Sequence, residues 1–435
     1  MASFNYAKRY VVEAECVSPL RTGDTDHDNN VVSTGTDGNP MIQATSIAGV
    51  LRSWFDNEEA LARALFGDSN ASKEADATSK VTVSDGVFRR NITILRPRLR
   101  INSDTGAGMD GHKYDLRSIP PGEKFTFTLL LKADSKESSL EAPLEEALSA
   151  LNDGLLTLGG QQSNGFGMVK LNHIMTRTYD LKKREDREAW MDDAACDNEL
   201  KLQPLLDVKR HAITFRLSGC SDHFLIKSGN REKRENPQEE GKSPSVISAM
   251  KNPDGNYVLP GSSLKGVLRN RAKRIAAYKN AEDAVDLLFG REGKGNGDNG
   301  QAGQLCVEEF VLEKPRQQIL TRTRLDRFTG GVLRKHLFTE EILCDQVSIT
   351  IHVKCTEPKS NALLFYALRD LAMGLYGFGS EVSVGRGYLT AETSRLEVSN
   401  GTSNCVMTFG KKGTIEGCVD FVRSWLNALD SKEVC

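Results

Sequence analysis

The chain has 435 residues, 39% of them hydrophobic and 27% charged, with a formal net charge of −2. That balance excludes a chain disordered throughout, and no apolar run reaches the roughly 20 residues of a membrane span; the length predicts two domains. The opening MASFNYAKRYVVEAE lacks a secretory pattern, and nine cysteines without CxxC spacing suit a reducing compartment, so a cytoplasmic protein is expected.

In chain order, RYVVEAEC (9–16) alternates as a strand, and a polar loop runs to about residue 43. Ser46 to Phe66 has helical spacing through Ile47, Val50, Leu51, Phe55 and Leu61. A strand at VTVSDGV (81–87) is followed by a basic stretch with Arg96, Arg98 and Arg100, then a strand at KFTFTLLLK (124–132) and a helix at 144–156. A loop with Gly159, Gly160, Gly165 and Gly167 leads into a short strand at 168–173. The order is β-α-β-β-α-β. It recurs as HAITFRLS (211–218), a helical region at 262–289, LCVEEFVL (305–312), QVSITIHV (346–353), a helix at 362–375, and GYLTAE (387–392).

The recurrence is visible in the letters. ATSIAGVLRSWF (44–55) matches GSSLKGVLRNRA (261–272), ALFGD (64–68) matches LLFGR (287–291), LRPRLRINSDTGAG (95–108) echoes LTRTRLDRFTGGVL (320–333), and LGGQQSNGFGMVKL (158–171) echoes YGFGSEVSVGRGYL (376–389). Collinear matches of this kind mark a duplication. The expected fold is therefore α+β, two tandem ferredoxin-like, RRM-like domains with hairpin insertions between the second and third strands. The expected boundaries are 1–175, a charged, solvated linker at 176–208, a second domain at 209–395, and a 396–435 extension with an amphipathic helix at 416–429. GREGKGNGDNGQAG (290–303) reads as a flexible loop and, without GKS or GKT, is not a nucleotide P-loop.

From Lys209 to Arg274 there are 14 Lys/Arg against 6 Asp/Glu, a local balance of +8. At its end Gly261 and Ser262 sit where a turn and an N-cap belong; Leu264, Leu268, Arg271 and Ile275 share one helical face, and Lys265, Arg269 and Lys273 share another. A helix entry bearing Ser262, Ser263 and Lys265 suits phosphate. The first copy keeps Thr45, Ser46, Gly49 and Arg52 but has Ala48 in place of Lys265, so its grip should be weaker. Gly165 and Gly167, and Gly377, Gly379, Gly385 and Gly387 around Arg386, let a ligand backbone approach. Arg96, Arg98, Arg322, Arg324 and Arg327 add cations. A capped amphipathic helix, tight turns and exposed loops are the plainer alternatives.

These motifs, GSSLKGVLRNRA after YVLP, LFG about twenty residues on, and a terminal G-x-G loop, resemble the RAMP superfamily of CRISPR systems. The likeness covers about residues 9–175 and 209–395 and is strongest to the backbone subunits of type III effectors, in particular a tandem subunit of a type III-D variant. It implies guide RNA held by its backbone, single-stranded target RNA recognised by pairing, partner effector subunits, a thumb-type hairpin, and an aspartate in the loop after strand one that cuts target RNA with Mg2+ or Mn2+. The family's spacing lands on Asp28 in TGDTDHDNN (22–30), with Asp26 and Asp24 as alternates and Asp28 and Asp26 as metal ligands; His27 stands among them. In the second copy it lands on Ser245, with Glu239 and Glu240 out of register, so one cutting copy and one silent copy are expected. DTDHDN also mimics an EF-hand opening, but Asn29 and Gly35 replace the needed glycine and glutamate. A binding-only subunit and a guide-processing nuclease using His211 or His223 are the rival functions. An RNA-recognition domain would need stacking aromatics in a glycine-containing motif, which neither third strand carries.

Overall fold

The structure, a computed structural model, describes residues 4–23, 31–67, 78–102, 105, 108–134, 139–205, 213–233, 245–293, 298, 300–354 and 357–431. By contacts the chain divides into two compact units, 1–98 with 114–162 and 166–210, and 99–113 with 163–165 and 211–435.

The first copy runs β1 (Tyr6–Cys16), β2 (Met41–Ile42), α1 (Ala44–Ser53), α2 (Glu59–Phe66), β3 (Val81–Val83), β4 (Gly86–Phe88), β5 (Ile94–Ile101), β6 (Gly108–Ser118), β7 (Lys124–Ala133), α3 (Glu141–Asn152), β8 (Val169–Asp180), α4 (Arg184–Met191) and β9 (Asn198–Glu199). β1 lies between β8 and β7, antiparallel to both, and β3 flanks β7, the order a β-α-β-β-α-β unit requires. Tyr10, Val12 and Ala14 of β1 and Phe125, Phe127, Leu129 and Leu131 of β7 point to one face, where Ile47, Leu51, Leu144 and Leu148 of α1 and α3 cover them. Phe125 and Phe127 are thus core residues rather than base-stacking ones. β5 and β6 form a separate two-stranded sheet, the expected hairpin between the second and third strands.

The second copy repeats the plan with β10 (Ile213–Phe224), β11 (Lys227–Lys233), β12 (Ser245–Ala249), β13 (Tyr257–Leu259), α5 (Gly261–Lys279), α6 (Glu282–Phe289), β14 (Leu305–Val307), β15 (Phe310–Leu312), β16 (Arg316–Leu325), β17 (Val332–Val353), α7 (Pro358–Ala372), β18 (Arg395–Ser399), β19 (Asn404–Thr408), β20 (Ile415–Gly417) and α8 (Asp420–Asp430). β10 sits between β18 and β17, and β14 flanks β17. β16 pairs with β17 over Arg316–Leu325, so one long strand is both hairpin arm and core strand.

Four expectations are corrected. Each predicted helical region is two helices: a break at residues 54–58 separates α1 from α2, and Asn280, left-handed at φ 52°, separates α5 from α6. GYLTAE is not a strand: the Gly387 and Thr390 amides donate to the carbonyls of His223 (2.6 Å) and Cys220 (2.9 Å), residues 391–393 make a 3-10 turn, and the ladder resumes only at Arg395 opposite Ser218. The stretch from 396 is therefore the fourth strand, not a tail; only β19, β20 and α8 are added, and Trp425 of α8 packs on Phe215 at 6.1 Å. The linker is not simply solvated. Trp190 stacks edge-on against Tyr179 at 5.1 Å, Arg9 lies over both rings, and β9 pairs with β8, because a single aromatic on a charged helix gives it one anchoring point. No helix among the described residues is long and apolar enough to cross a membrane.

Candidate nucleic-acid interface

The duplicated G-x-L-R and L-F-G strings are explained by one internal contact. Arg52 of α1 donates to the Gly67 carbonyl at 2.6 Å, and Arg269 of α5 donates to the Gly290 carbonyl at 2.8 Å. Gly67 and Gly290 end α2 and α6 with φ of 77° and 85°, so the arginine satisfies a carbonyl that the helix leaves exposed. Arg52 also bonds Glu59 at 3.0 Å, and Asp286 lies 3.6 Å from Arg269. Both arginines, expected at the RNA, are committed to the helix pair. Arg52→Ala or Arg269→Ala is expected to cost about 1.5–3 kcal/mol, the range for a hydrogen bond to a charged group, read by urea unfolding. A change in RNA affinity without a stability loss would contradict this.

The helix entries differ. Pro260, not Ser262, is the N-cap of α5, with no side-chain cap, so Ser262 and Ser263 lie in its first turn, half-buried. Gly261 is required there because a Cβ would stand 2.0 Å from the Val307 carbonyl oxygen. In α1 the Ala44 amide donates to Asp85 Oδ1 at 2.7 Å, so a carboxylate occupies the position an anion would favour, while Ser46 is exposed one turn in. Burial, and then the nearby Arg269 charge, push the Lys265 ammonium down to about 8. A phosphate gripped by Lys265 needs the charged form, which is fully present below that value and lost above it. RNA affinity is therefore expected to fall by about fivefold from pH 8 to 9 where this contact dominates. Lys265→Arg, which does not titrate there, should flatten the profile; an unchanged slope in that variant would remove Lys265 from the interface.

The glycine loops superimpose in pattern. The amides of Gly167 and Gly387 donate to the carbonyls of Pro19 and His223, while Leu158 and Phe378 donate back to Gly167 and Gly387 at 2.9 Å each. A Cβ would lie 2.0 Å from the Leu158 oxygen at Gly167 and 1.9 Å from the Phe378 oxygen at Gly387. The loops thus clamp the chain leaving strand one. Gly165 (φ 81°) is buried, whereas Gly385 (φ 87°) is exposed with open space beside it.

Most of the expected arginines are internally engaged. Arg96 is only 5% exposed, and Arg98 lies over the Phe166 ring at 5.3 Å. Arg386 donates to Glu340 at 2.6 Å, and Arg322 donates to Glu340 at 3.1 Å and to Glu381 at 2.7 Å. Lys227 completes the group at 2.6 Å from Glu381 and 3.8 Å from Glu340. Lys227, Glu340 and Glu381 carry no motif, and sequence reading missed them. The signal was a difference between aligned copies: Gln161 and Phe166 in the first loop stand where Glu381 and Arg386 stand in the second. Leu20 opposite Ile119 and Phe224 opposite Leu343 set the strand alignment, and three residues back from each partner stand Leu116 and Glu340. Where the second copy places the Glu340–Arg386 ion pair, the first has Leu116 and Phe166, with Arg98 over the Phe166 ring.

The β16–β17 hairpin is what remains exposed. Arg324 and Arg327 are exposed, and Phe328 at the turn is 91% exposed. Asp326 Oδ1 accepts from the amides of Phe328 (2.9 Å) and Thr329 (2.8 Å), bonds that hold its carboxyl below the usual range and fix the turn.

Asp24, Asp26, His27 and Asp28 lie outside the described residues, as do Glu239, Glu240 and His211. At the first loop's rim, Ser33 Oγ donates to the Gly23 carbonyl at 2.5 Å and the buried Thr22 Oγ1 has no partner. Thr22, a hard oxygen donor of the kind Mg2+ or Mn2+ accepts, stands two positions before Asp24 in the chain. Among the described residues no three His, Cys, Asp or Glu side chains gather as a metal site. In the second copy Ser245 opens β12, and His223 serves through its backbone carbonyl in the glycine clamp.

A family model described as the RAMP superfamily matches residues 13–170 and 223–390, one match on each copy. No curated protein matches the chain.

Proposed function

The chain belongs to the RAMP superfamily, a CRISPR-associated group of RNA-binding proteins, and from that premise we propose that it is a tandem backbone subunit of an RNA-guided type III effector, of the type III-D kind, flanked by other effector subunits. The observation that carries this reading is the repetition of one arginine-closed helix pair and one glycine clamp in both copies, which suits a ligand that is itself periodic. A guide RNA backbone is such a ligand, and contacts to its phosphates position it without reading its bases. Ser46, the Ser262–Lys265 turn, Gly385 and the hairpin arginines Arg324 and Arg327 supply those contacts. The hairpin, with Phe328 at its tip, acts as the thumb that parts the guide–target duplex.

Target RNA is cut beside the first copy's acidic loop. A target 2′-hydroxyl attacks its own phosphate in line and expels the 5′-oxygen of the next nucleotide, which takes a proton from water to become a 5′-hydroxyl, leaving a 2′,3′-cyclic phosphate. Asp28, or its alternates Asp26 and Asp24, accepts the hydroxyl proton. Asp28 and Asp26 would hold a Mg2+ or Mn2+ ion, which would supply charge neutralisation. The second copy, with Ser245 in the corresponding place, binds without cutting.

The test is isolation of the native particle followed by sequencing of its nucleic acid. Short RNAs sharing one constant tag are the expected result; a particle free of RNA overturns the reading.

A further inference from the structure

The ion cluster at the hairpin base holds three cations, Lys227, Arg322 and Arg386, against two carboxylates, Glu340 and Glu381, and so carries a net positive charge. The two carboxylates are not equivalent. Glu340 is 1% exposed and is held at 2.6 Å by Arg386, itself 7% exposed, so this pair is locked inside. Glu381 lies at the rim, with a side chain 19% exposed, and among the described residues its ion pairs are with Lys227 and Arg322. Its backbone is left-handed at φ 63°, a conformation a glutamate rarely takes, directly before the exposed turn that ends at Gly385. Burial alone would raise its carboxyl, but the hydrogen bonds from Lys227 and Arg322 outweigh that and hold it below the usual range. The Arg322 Nε, buried, has no acceptor. Two convergent cations with a spare donor, bridged by one detachable oxyanion, have the geometry that receives a phosphate.

We propose that Lys227 and Arg322 form a phosphodiester-binding site that Glu381 occupies as an internal stand-in, so that a backbone phosphate binds by displacing the Glu381 carboxylate. This rests on the RNA-binding reading above and adds to it a regulatory contact: the second copy's grip is held back by its own acid. The first copy has the neutral Gln161 at the same left-handed position, φ 63°, and needs no such exchange. Gln161 also shows that a glutamine is accommodated in that backbone, so Glu381→Gln is expected to fold.

The experiment measures binding of the full chain to a labelled oligouridylate across a salt series. Glu381→Gln is expected to tighten binding by about tenfold, one charge-assisted contact, and to steepen the salt dependence by about 0.7 in the log–log slope. The exposed Glu392→Gln should change neither. The gain should vanish in a Lys227→Met background, which leaves Arg322 and Arg386 on Glu340. Equal behaviour of the two glutamine variants, or a gain that survives Lys227→Met, overturns the proposal. A second arm uses inorganic phosphate: it should protect Glu381→Gln against heat more than it protects the parent protein, and equal protection overturns the proposal. Should the parent protein bind no RNA, the functional reading fails by itself, and the phosphate arm still decides whether this site exists.

Discussion

Replacing Asp28 with alanine is expected to remove cleavage of target RNA at one set of positions, slowing it by about 10²–10⁴-fold, while guide binding stays unchanged. The expectation follows from the division of labour proposed for the copies: only the first carries carboxylates at the family's spacing, and the second has Ser245, which neither accepts a proton at neutral pH nor favours a divalent ion. The same substitution at Asp26 or Asp24 should have a smaller effect, which identifies the residue nearest the reacting phosphate. Gel analysis of a guide–target duplex with Mg2+ or Mn2+, with and without chelator, gives the readout. An unchanged band pattern from all three variants would leave a binding-only subunit, and cleavage of precursor RNA in chelator would favour a guide-processing nuclease.

Replacing Glu340 with glutamine is expected to destabilise the second copy by about 3–5 kcal/mol, the cost of leaving a buried cation unpaired. Arg386 is 7% exposed and has Glu340 at 2.6 Å; without that carboxylate its charge faces a junction already holding Arg322 and Lys227. The first copy supplies the compensating design, since Leu116 and Phe166 stand where Glu340 and Arg386 do. The double variant Glu340→Leu, Arg386→Phe should recover most of the loss, because well-packed apolar groups replace a buried ion pair at little cost. Urea unfolding measures both. Glu397→Gln, which loses an ion pair with the exposed Arg395, should shift stability by less than about 1 kcal/mol. A loss that small for Glu340→Gln would show the network to be solvated.

Much of this architecture was legible in the letters. Strand alternation in RYVVEAEC and KFTFTLLLK marks faces that must be buried, and the duplicated glycines Gly167 and Gly387 mark places where a Cβ would strike a carbonyl oxygen. Both are local requirements. The break between α1 and α2, the delayed fourth strand at Arg395 and the docking of Trp190 were not legible, because each depends on a partner in another element: Gly67 for Arg52, Cys220 for Thr390, Tyr179 for Trp190.

The site divides the same way. The sequence by itself determined that the chain is two related copies with repeated helix entries, glycine loops and basic hairpins, since period and residue type survive without coordinates. Only the tertiary structure decided what each cation does. A guanidinium in a motif is equally suited to a phosphate, a carboxylate or a helix-end carbonyl, and the choice is made by whichever acceptor the fold brings within hydrogen-bond distance. For Arg52 and Arg269 that acceptor is a glycine carbonyl; for Arg322 and Arg386 it is a glutamate.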